Sequence, residues 1–374
     1  MFQPFYPASY RWSVLLLAVV IVLTGGFASR SLVIAAESTE TEQKQNTSAS
    51  DDKELLKYAF ADPLSSGDQL RKPITSLDGI LAANRSILTP VELFFDAYKQ
   101  LEIVETRTLS INNDTLKVLQ LTYRLGGRDY QAYAYVRQGV QPAKRAALVI
   151  PGSAQNLSTA LANESPKSNH VGIMQALGEN YDRYIFIKPN EDCLAFHDGR
   201  RKLTAAFFVN WHLDAGGSYS VNYIVSSLAF SKYLKQHYPT LVVAGLSQGG
   251  AAALLNALQS QPTAAVIASG FSILNQKAQW AGHNQIIIPG LRKRLDHERV
   301  RELIRESPTR FLFTYGKKEV GTYQIEATQQ RSAQFLSDCQ NATFQTHPGG
   351  HVYDPQIVRT FLEEVIPLPG ESAN

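Results

Sequence analysis

The sequence predicts an α/β fold with a mostly parallel central sheet, an N-terminal antiparallel hairpin and helices on both faces. Short runs of four or five apolar residues recur along the chain, as in strands that are buried on both faces of a parallel sheet. Segments of good helical composition separate these runs, which is the alternation of an α/β domain. Two alternating runs precede the first apolar strand, and this is a hairpin pattern.

The predicted hairpin strands are residues 117–124 (KVLQLTYR) and 130–137 (YQAYAYVR), joined by residues 125–129 (LGGRD). Both strands are rich in β-branched and aromatic residues, which favour strands. The predicted buried strands are 146–150, 184–187, 241–244, 265–268, 311–314 and 342–346. The predicted helices are 219–236, 249–258, 325–336 and 356–365.

The composition is that of a globular protein without a nucleic-acid partner. Of the 374 residues, 44% are hydrophobic and 18% are charged. The formal net charge is only +3, and the basic residues are scattered. The densest basic cluster, 292–294, shares its segment with Asp296 and Glu298, so we interpret it as a solvated face.

The N-terminal segment predicts export. Residues 13–24 (SVLLLAVVIVLT) form an apolar run that follows Arg11 and precedes several small residues. This pattern predicts, within residues 1–36, either a cleaved signal peptide or a retained membrane anchor. Both alternatives place the rest of the chain across a membrane: anchored on its outer side, or secreted or periplasmic.

Three further segments follow in the predicted domain organisation. Residues 37–53 are almost free of aliphatic and aromatic residues, so they predict a disordered linker. Residues 54–114 are interpreted as an N-terminal helical extension. Residues 115–368 contain the hairpin and the strand–helix units, and they are the predicted catalytic domain.

No metal or other cofactor is predicted. The two cysteines, Cys193 and Cys339, belong to no CxxC motif or Cys/His cluster. The sequence also lacks the phosphate-binding loop, the HExxH zinc motif and the EF-hand calcium loop. In an exported protein the two cysteines could pair as a disulfide, and two separate buried thiols are the alternative.

The strongest motif is G-x-S-x-G at residues 245–249 (GLSQG). It follows the apolar run 241–244 and precedes a helix that begins with small residues. Glycines on both sides of Ser247 allow a sharp strand-to-helix turn that exposes the serine oxygen. The motif therefore predicts Ser247 as a nucleophile and the backbone N–H of Gln248 as an oxyanion donor.

With this motif in place, residues 115–366 resemble an α/β-hydrolase domain. The GLSQGG elbow is similar to that of carboxylesterases, thioesterases and acetyl-ester hydrolases of this superfamily. The resemblance implies a catalytic triad in the chain order serine, acid, histidine. It implies the histidine in the loop after the last strand, where His351 ends an H-P-G-G-H segment and His347 begins it. We predict His351 as the base, with His347 as the alternative.

The resemblance also implies the acid and a second oxyanion donor. Glu319 follows the strand 311–314 in the segment YGKKE, where related enzymes usually have aspartate. We predict Glu319 as the acid, with Asp296 and Asp354 as alternatives. The Pro151-Gly152 pair after strand 146–150 stands where relatives often have His-Gly, and this match implies the Ser153 backbone N–H as the second donor.

These residues predict a metal-independent carboxylic-ester hydrolase that forms an acyl-enzyme on Ser247. Export favours an ester of the envelope or the extracellular space, so the expected substrate is a small-molecule or glycan ester, for example in glycan deacetylation. Insertions at 190–218 and 269–305 are expected to line its site. Two alternatives remain open: a serine peptidase of the prolyl-oligopeptidase kind, and an inactive hydrolase fold that serves as a binding or scaffold protein.

Overall fold

The fold described below is that of a computed structural model of the chain. The residues it describes are 91–111, 116–140, 144–153, 157–166, 168–189, 191, 209, 212–213, 217–273, 280–281, 286–320 and 326–366. The predicted signal peptide or anchor, the linker and residues 54–90 of the predicted helical extension lie outside these residues, as does Cys193.

Nine of the strands in the described part of the chain form one sheet. They are β1 (Glu102–Ile111), β2 (Leu116–Leu125), β3 (Arg128–Arg137), β4 (Arg145–Ile150), β5 (Asp182–Ile187), β6 (Thr240–Leu246), β7 (Ala264–Ala268), β10 (Arg310–Gly316) and β11 (Ala342–His347). The short strands β8 (Ser272–Ile273) and β9 (Trp280–Ala281) pair with each other.

The helices lie between and after these strands. Short helices are α1 (Ala97–Gln100), α2 (Leu157–Ala162), α3 (Val171–Leu177) and α6 (Leu291–Arg294), with 3-10 turns at Val91–Asp96 and Gly178–Asn180. Longer helices are α4 (Tyr219–His237), α5 (Gln248–Ser260), α7 (His297–Glu306), α8 (Glu326–Phe335) and α9 (Pro355–Val365). Helices α4 and α5 pack together and against β4 and β6, and α3 packs against α9.

The strand order is β1-β2-β3-β5-β4-β6-β7-β10-β11. The first three strands are antiparallel, with Gly126 and Gly127 at positive φ in the turn between β2 and β3. Strand β3 pairs antiparallel with β5, and β5, β4, β6, β7, β10 and β11 run parallel. The predicted α/β fold with a mostly parallel sheet is confirmed. It places the carboxyl ends of these six parallel strands at one edge.

The apolar strands form the core, because a parallel strand between helices has no face exposed to water. Residues 146–150 and 264–268 are completely buried. Helix α4 is buried at every position from Tyr219 to Ser231, so it is a core helix. Cys339 is a buried free thiol. Within the part of the chain that the structure describes, no helix has the length and apolar character needed to cross a bilayer.

Within the helical extension predicted for residues 54–114, the described residues 102–111 form a strand and not a helix. Glu102–Ile111 is strand β1, which pairs antiparallel with β2 on both sides of a bulge at Val104. Its β-branched residues favour a strand, and β2 supplies its backbone hydrogen-bond partners. Residues 104–108 of this edge strand are exposed, so no buried face marks it in the sequence.

Candidate active site

Ser247 lies on a sharp turn between β6 and α5. Its backbone has φ 61° and ψ −122°, a conformation that costs free energy for a residue with a side chain. A Cβ atom on Gly245 would lie 1.9 Å from the Gly249 carbonyl oxygen, and one on Gly249 would lie 2.1 Å from the Ile150 oxygen. Both glycines are therefore required, as the G-x-S-x-G spacing predicts.

Four neighbouring parallel strands end in polar residues at the same edge of the sheet. Ser247 follows β6, Ser269 follows β7, Glu319 follows the end of β10 and His351 follows β11. Because β6, β7, β10 and β11 are adjacent in this order, their carboxyl ends bring these four side chains to one region.

Glu319 and His351 form a buried acid–imidazole pair. The distance between Glu319 Oε2 and His351 Nδ1 is 2.9 Å, and the carboxylate side chain is completely buried. A carboxylate only accepts, so Nδ1 carries the proton and Nε2 of a neutral His351 is free of one. The other carboxylate oxygen accepts from the Ser269 hydroxyl at 2.5 Å and from the Gly316 N–H at 2.8 Å. These bonds fix the carboxylate and hence the ring orientation.

The residues predicted as alternatives for the acid and the base form other hydrogen bonds. Asp296 caps α7 by accepting from the Arg299 N–H, and Asp354 caps α9 by accepting from the N–H groups of residues 356 and 357. His347 is buried, and its Nδ1 accepts from the Gly349 N–H at 3.2 Å. The structure therefore brings Glu319, rather than either aspartate, to His351.

The two predicted oxyanion donors lie on segments that touch. Gln248 is the first residue of α5, where backbone N–H groups have no acceptor within the helix. Ser153 is half-buried and follows β4, the strand next to β6. A Cβ atom on Gly249 would lie 2.6 Å from the Pro151 oxygen, so the first turn of α5 packs directly on the loop after β4. This contact brings the Gln248 and Ser153 segments together.

Two buried side chains that the sequence analysis missed hold Gly152 in this loop. His170 Nε2 accepts from the Gly152 N–H at 3.1 Å, and Lys188 Nζ donates to the Gly152 carbonyl oxygen. Lys188 is completely buried and lies 3.8 Å from the equally buried Glu191 carboxylate. His170, Lys188 and Glu191 belong to no short motif. Ser269 could have been found, since it is polar and directly follows a predicted strand.

Burial keeps His170 neutral. The pKa of His170 is lowered to about 3, mainly because burial removes hydration and also because His351 and Lys188 electrostatically disfavour a second positive charge beside them. Since Nε2 accepts a hydrogen bond, the ring proton of neutral His170 is on Nδ1. Burial also lowers the pKa of Lys188, and the neighbouring Glu191 carboxylate partly offsets this.

Metal ligands are not grouped in the described part of the chain. No three His, Cys, Asp or Glu side chains among the described residues stand close enough together to hold a metal ion. The groups that the site offers for chemistry are the Ser247 hydroxyl, the His351 imidazole and the Glu319 carboxylate.

This strand order and the turn at Ser247 are those of the α/β-hydrolase fold, and the paired Glu319 and His351 lie at the same sheet edge as Ser247. Residues 196–355, which include all three side chains, match the family model described as "Serine hydrolase (FSH1)". A comparison with curated proteins finds no significant match.

Three solved structures resemble the chain at low sequence identity. A Bacteroides fragilis protein assigned as an acetyl xylan esterase is 12% identical with a TM-score of 0.48, over 73% of this chain and 82% of that one. Acetyl xylan esterase 1 from Thermoanaerobacterium sp. is 14% identical with a TM-score of 0.46, over 76% and 98%. A glucuronoyl esterase from Caldicellulosiruptor kristjansonii is 13% identical with a TM-score of 0.44, over 74% and 84%.

Proposed function

We propose that the protein hydrolyses a carboxylic ester through an acyl-enzyme on Ser247. The observation that carries this proposal is the buried Glu319–His351 pair at the sheet edge that also presents Ser247. Serine hydroxyls are weak nucleophiles unless an adjacent base takes their proton, and an imidazole oriented by a carboxylate is suited to do so.

In the proposed reaction, the Ser247 oxygen attacks the ester carbonyl carbon while its proton moves to His351 Nε2. Glu319 stabilises the resulting imidazolium through Nδ1. The carbonyl oxygen becomes an oxyanion that accepts from the backbone N–H groups of Gln248 and Ser153. Collapse of this intermediate breaks the ester C–O bond, and the alcohol leaves with the proton from His351. A water molecule then attacks the acyl-enzyme by the same steps and releases the acid.

The proposed substrate is a small-molecule or glycan ester. The GLSQGG elbow is similar to that of carboxylesterases and acetyl-ester hydrolases, and the family match is to serine hydrolases. We further propose that the enzyme acts outside the cytoplasm, because the apolar run at 13–24 is typical of a signal peptide or anchor. Cell fractionation of the full chain and of a variant without residues 1–36 tests the location. Cytoplasmic recovery of both forms would contradict export.

A fluorophosphonate probe tests the proposed function. The full chain should become covalently labelled, and Ser247→Ala and His351→Ala should abolish or strongly reduce labelling because they remove the nucleophile and its base. Ser337→Ala and His237→Ala, which change exposed residues of the same types, are the matched controls and should label like the wild type.

Turnover then separates the hydrolase classes. The wild type should cleave p-nitrophenyl acetate or butyrate faster than peptide p-nitroanilides. Preference for the anilides would instead support the peptidase alternative. A folded wild type that neither labels nor turns over any of these substrates would refute an active serine hydrolase and leave the binding-protein alternative.

A further inference from the structure

We propose that His170 and Lys188 are positioning residues for catalysis, which hold the Gly152 peptide so that the Ser153 N–H points at the oxyanion. We call these two residues and their bonds to Gly152 the Gly152 clamp. The inference rests on the proposed function, because it assigns the device that orients one of the two oxyanion donors.

The Gly152–Ser153 peptide unit connects the Lys188 contact to the proposed oxyanion donor. The carbonyl oxygen of Gly152 and the N–H of Ser153 belong to the same peptide plane, and no described peptide bond is cis. In a trans peptide the C=O and N–H bonds point in opposite directions. Lys188 Nζ binds the carbonyl oxygen from the buried side, so the same contact turns the Ser153 N–H away from Lys188.

Lys188 also affects the strength of this donor. An ammonium group at a carbonyl oxygen draws electron density from the peptide, and linked hydrogen bonds strengthen one another in a poorly hydrated site. Lys188 is completely buried, so water does not screen this effect. The Glu191 carboxylate at 3.8 Å favours the charged form of Lys188 in this position.

His170 fixes the other side of Gly152. Its Nε2 accepts from the Gly152 N–H, and a Cβ atom at residue 152 would lie 2.7 Å from that nitrogen. The imidazole therefore packs against the glycine backbone and leaves no space for the loop to move toward it. The Tyr223 hydroxyl donates to the preceding Pro151 oxygen at 3.2 Å. Three successive backbone groups of the loop are thus held by buried side chains.

The clamp places an imidazole beside a loop that has Pro151 where related enzymes often have histidine. The resemblance to α/β-hydrolases implies a His-Gly pair in this loop, and this chain has Pro151-Gly152. The buried imidazole at the loop comes instead from His170, just before α3. The structure thus supplies from a neighbouring segment the kind of side chain that the loop itself lacks.

The test removes the Lys188 contact without leaving a buried charge. Lys188→Met alone would remove the cation beside the buried Glu191 carboxylate, so the variant is Lys188→Met/Glu191→Gln. The matched control is Arg183→Met/Glu164→Gln, which removes another ion pair, with Nη1 2.9 Å from the carboxylate, at the opposite end of β5. His170→Gln is the third variant, since its amide oxygen keeps an acceptor for the Gly152 N–H.

Steady-state hydrolysis of p-nitrophenyl acetate is measured for all variants. The Lys188 double variant should lose kcat by more than about tenfold, toward the roughly 10²–10³-fold loss caused by removing an oxyanion donor. Its KM should change by less than about twofold, because the oxyanion forms only after substrate binds. The control pair should keep the wild-type kcat, and His170→Gln should retain more activity than His170→Ala. An unchanged kcat in a folded Lys188 double variant would overturn the proposal.

Hydrogen exchange gives a readout that does not require activity. Amide exchange of a peptide containing residues 151–153 should be faster in the Lys188 double variant than in the wild type and the control pair. If the wild type fails to react with the fluorophosphonate, the proposed function fails, and the exchange result still decides the clamp. Equal exchange in all three proteins would overturn the clamp even where the proposed function holds.

Discussion

The buried imidazole of His170 should make a measurable contribution to the loss of stability in acid. Its folded pKa is about 3, whereas an unfolded histidine has a pKa near 6.5. Between these values the unfolded chain binds a proton that the native state excludes. The stability contributed by the neutral ring is therefore complete above about pH 6.5 and is lost progressively as the pH falls toward 3.

The magnitude follows from the size of the pKa difference. At pH 4.5 the unfolded histidine is two pH units below its pKa and almost fully protonated, while the native ring is still neutral. Each unit corresponds to about 1.4 kcal/mol, so the loss between pH 7.5 and 4.5 is about 3 kcal/mol. His170 is 6% exposed, so solvent screening reduces this value little.

The assay compares urea unfolding of the wild type and His170→Gln at both pH values, followed by circular dichroism. Carboxylates contribute to acid sensitivity in both proteins, so the informative quantity is the difference between their losses. The wild type should lose about 3 kcal/mol more than the variant. Equal losses of unfolding free energy in the two proteins would show that the native His170 ring takes up a proton between pH 7.5 and 4.5. That result would refute a buried His170 that stays neutral.

Two further changes address the carboxylate and the strained turn. Glu319→Gln should lower kcat for p-nitrophenyl acetate by about 10³–10⁴-fold, because an amide no longer stabilises the imidazolium of His351. Equal kcat values in a folded variant would exclude Glu319 as the acid. Ser247→Gly should abolish fluorophosphonate labelling and raise the free energy of unfolding by about 1 kcal/mol, since glycine tolerates φ 61°. A lower urea midpoint in this variant would contradict strain at the turn.

The sequence predicts the parallel part of the sheet well, because a strand buried on both faces is a continuous run of apolar residues. The runs at 146–150 and 265–268 are apolar throughout, and they lie within β4 and β7. The sequence also indicates the catalytic candidates, because Ser247 and Glu319 follow apolar strands of this kind and His351 ends the G-G-H loop after β11. Their roles stay predictions until the variants are assayed.

The sequence analysis missed features that no pattern of neighbouring residues indicates, namely strand β1 and the residues that contact Gly152. Strand β1 has one hydrogen-bonded edge and mostly exposed side chains, so its pattern does not differ from that of a surface helix or loop. His170 and Lys188 lie 18 and 36 residues from Gly152, and only the packing of three chain segments brings them together. No spacing rule in a single sequence connects such distant positions.

The close contact between Gly249 and the loop after β4 joins the two segments that carry the proposed oxyanion donors into one packed unit. With the Ile150 and Pro151 oxygens against the first turn of α5, neither segment moves without the other. The separation of the Gln248 and Ser153 donors is therefore set by the scaffold and not by the substrate. Under the proposed function, we expect changes in ester preference to come from substitutions in the segments after β5 and β7. We expect substitutions at 151–153 and 245–249 to lower activity toward every ester.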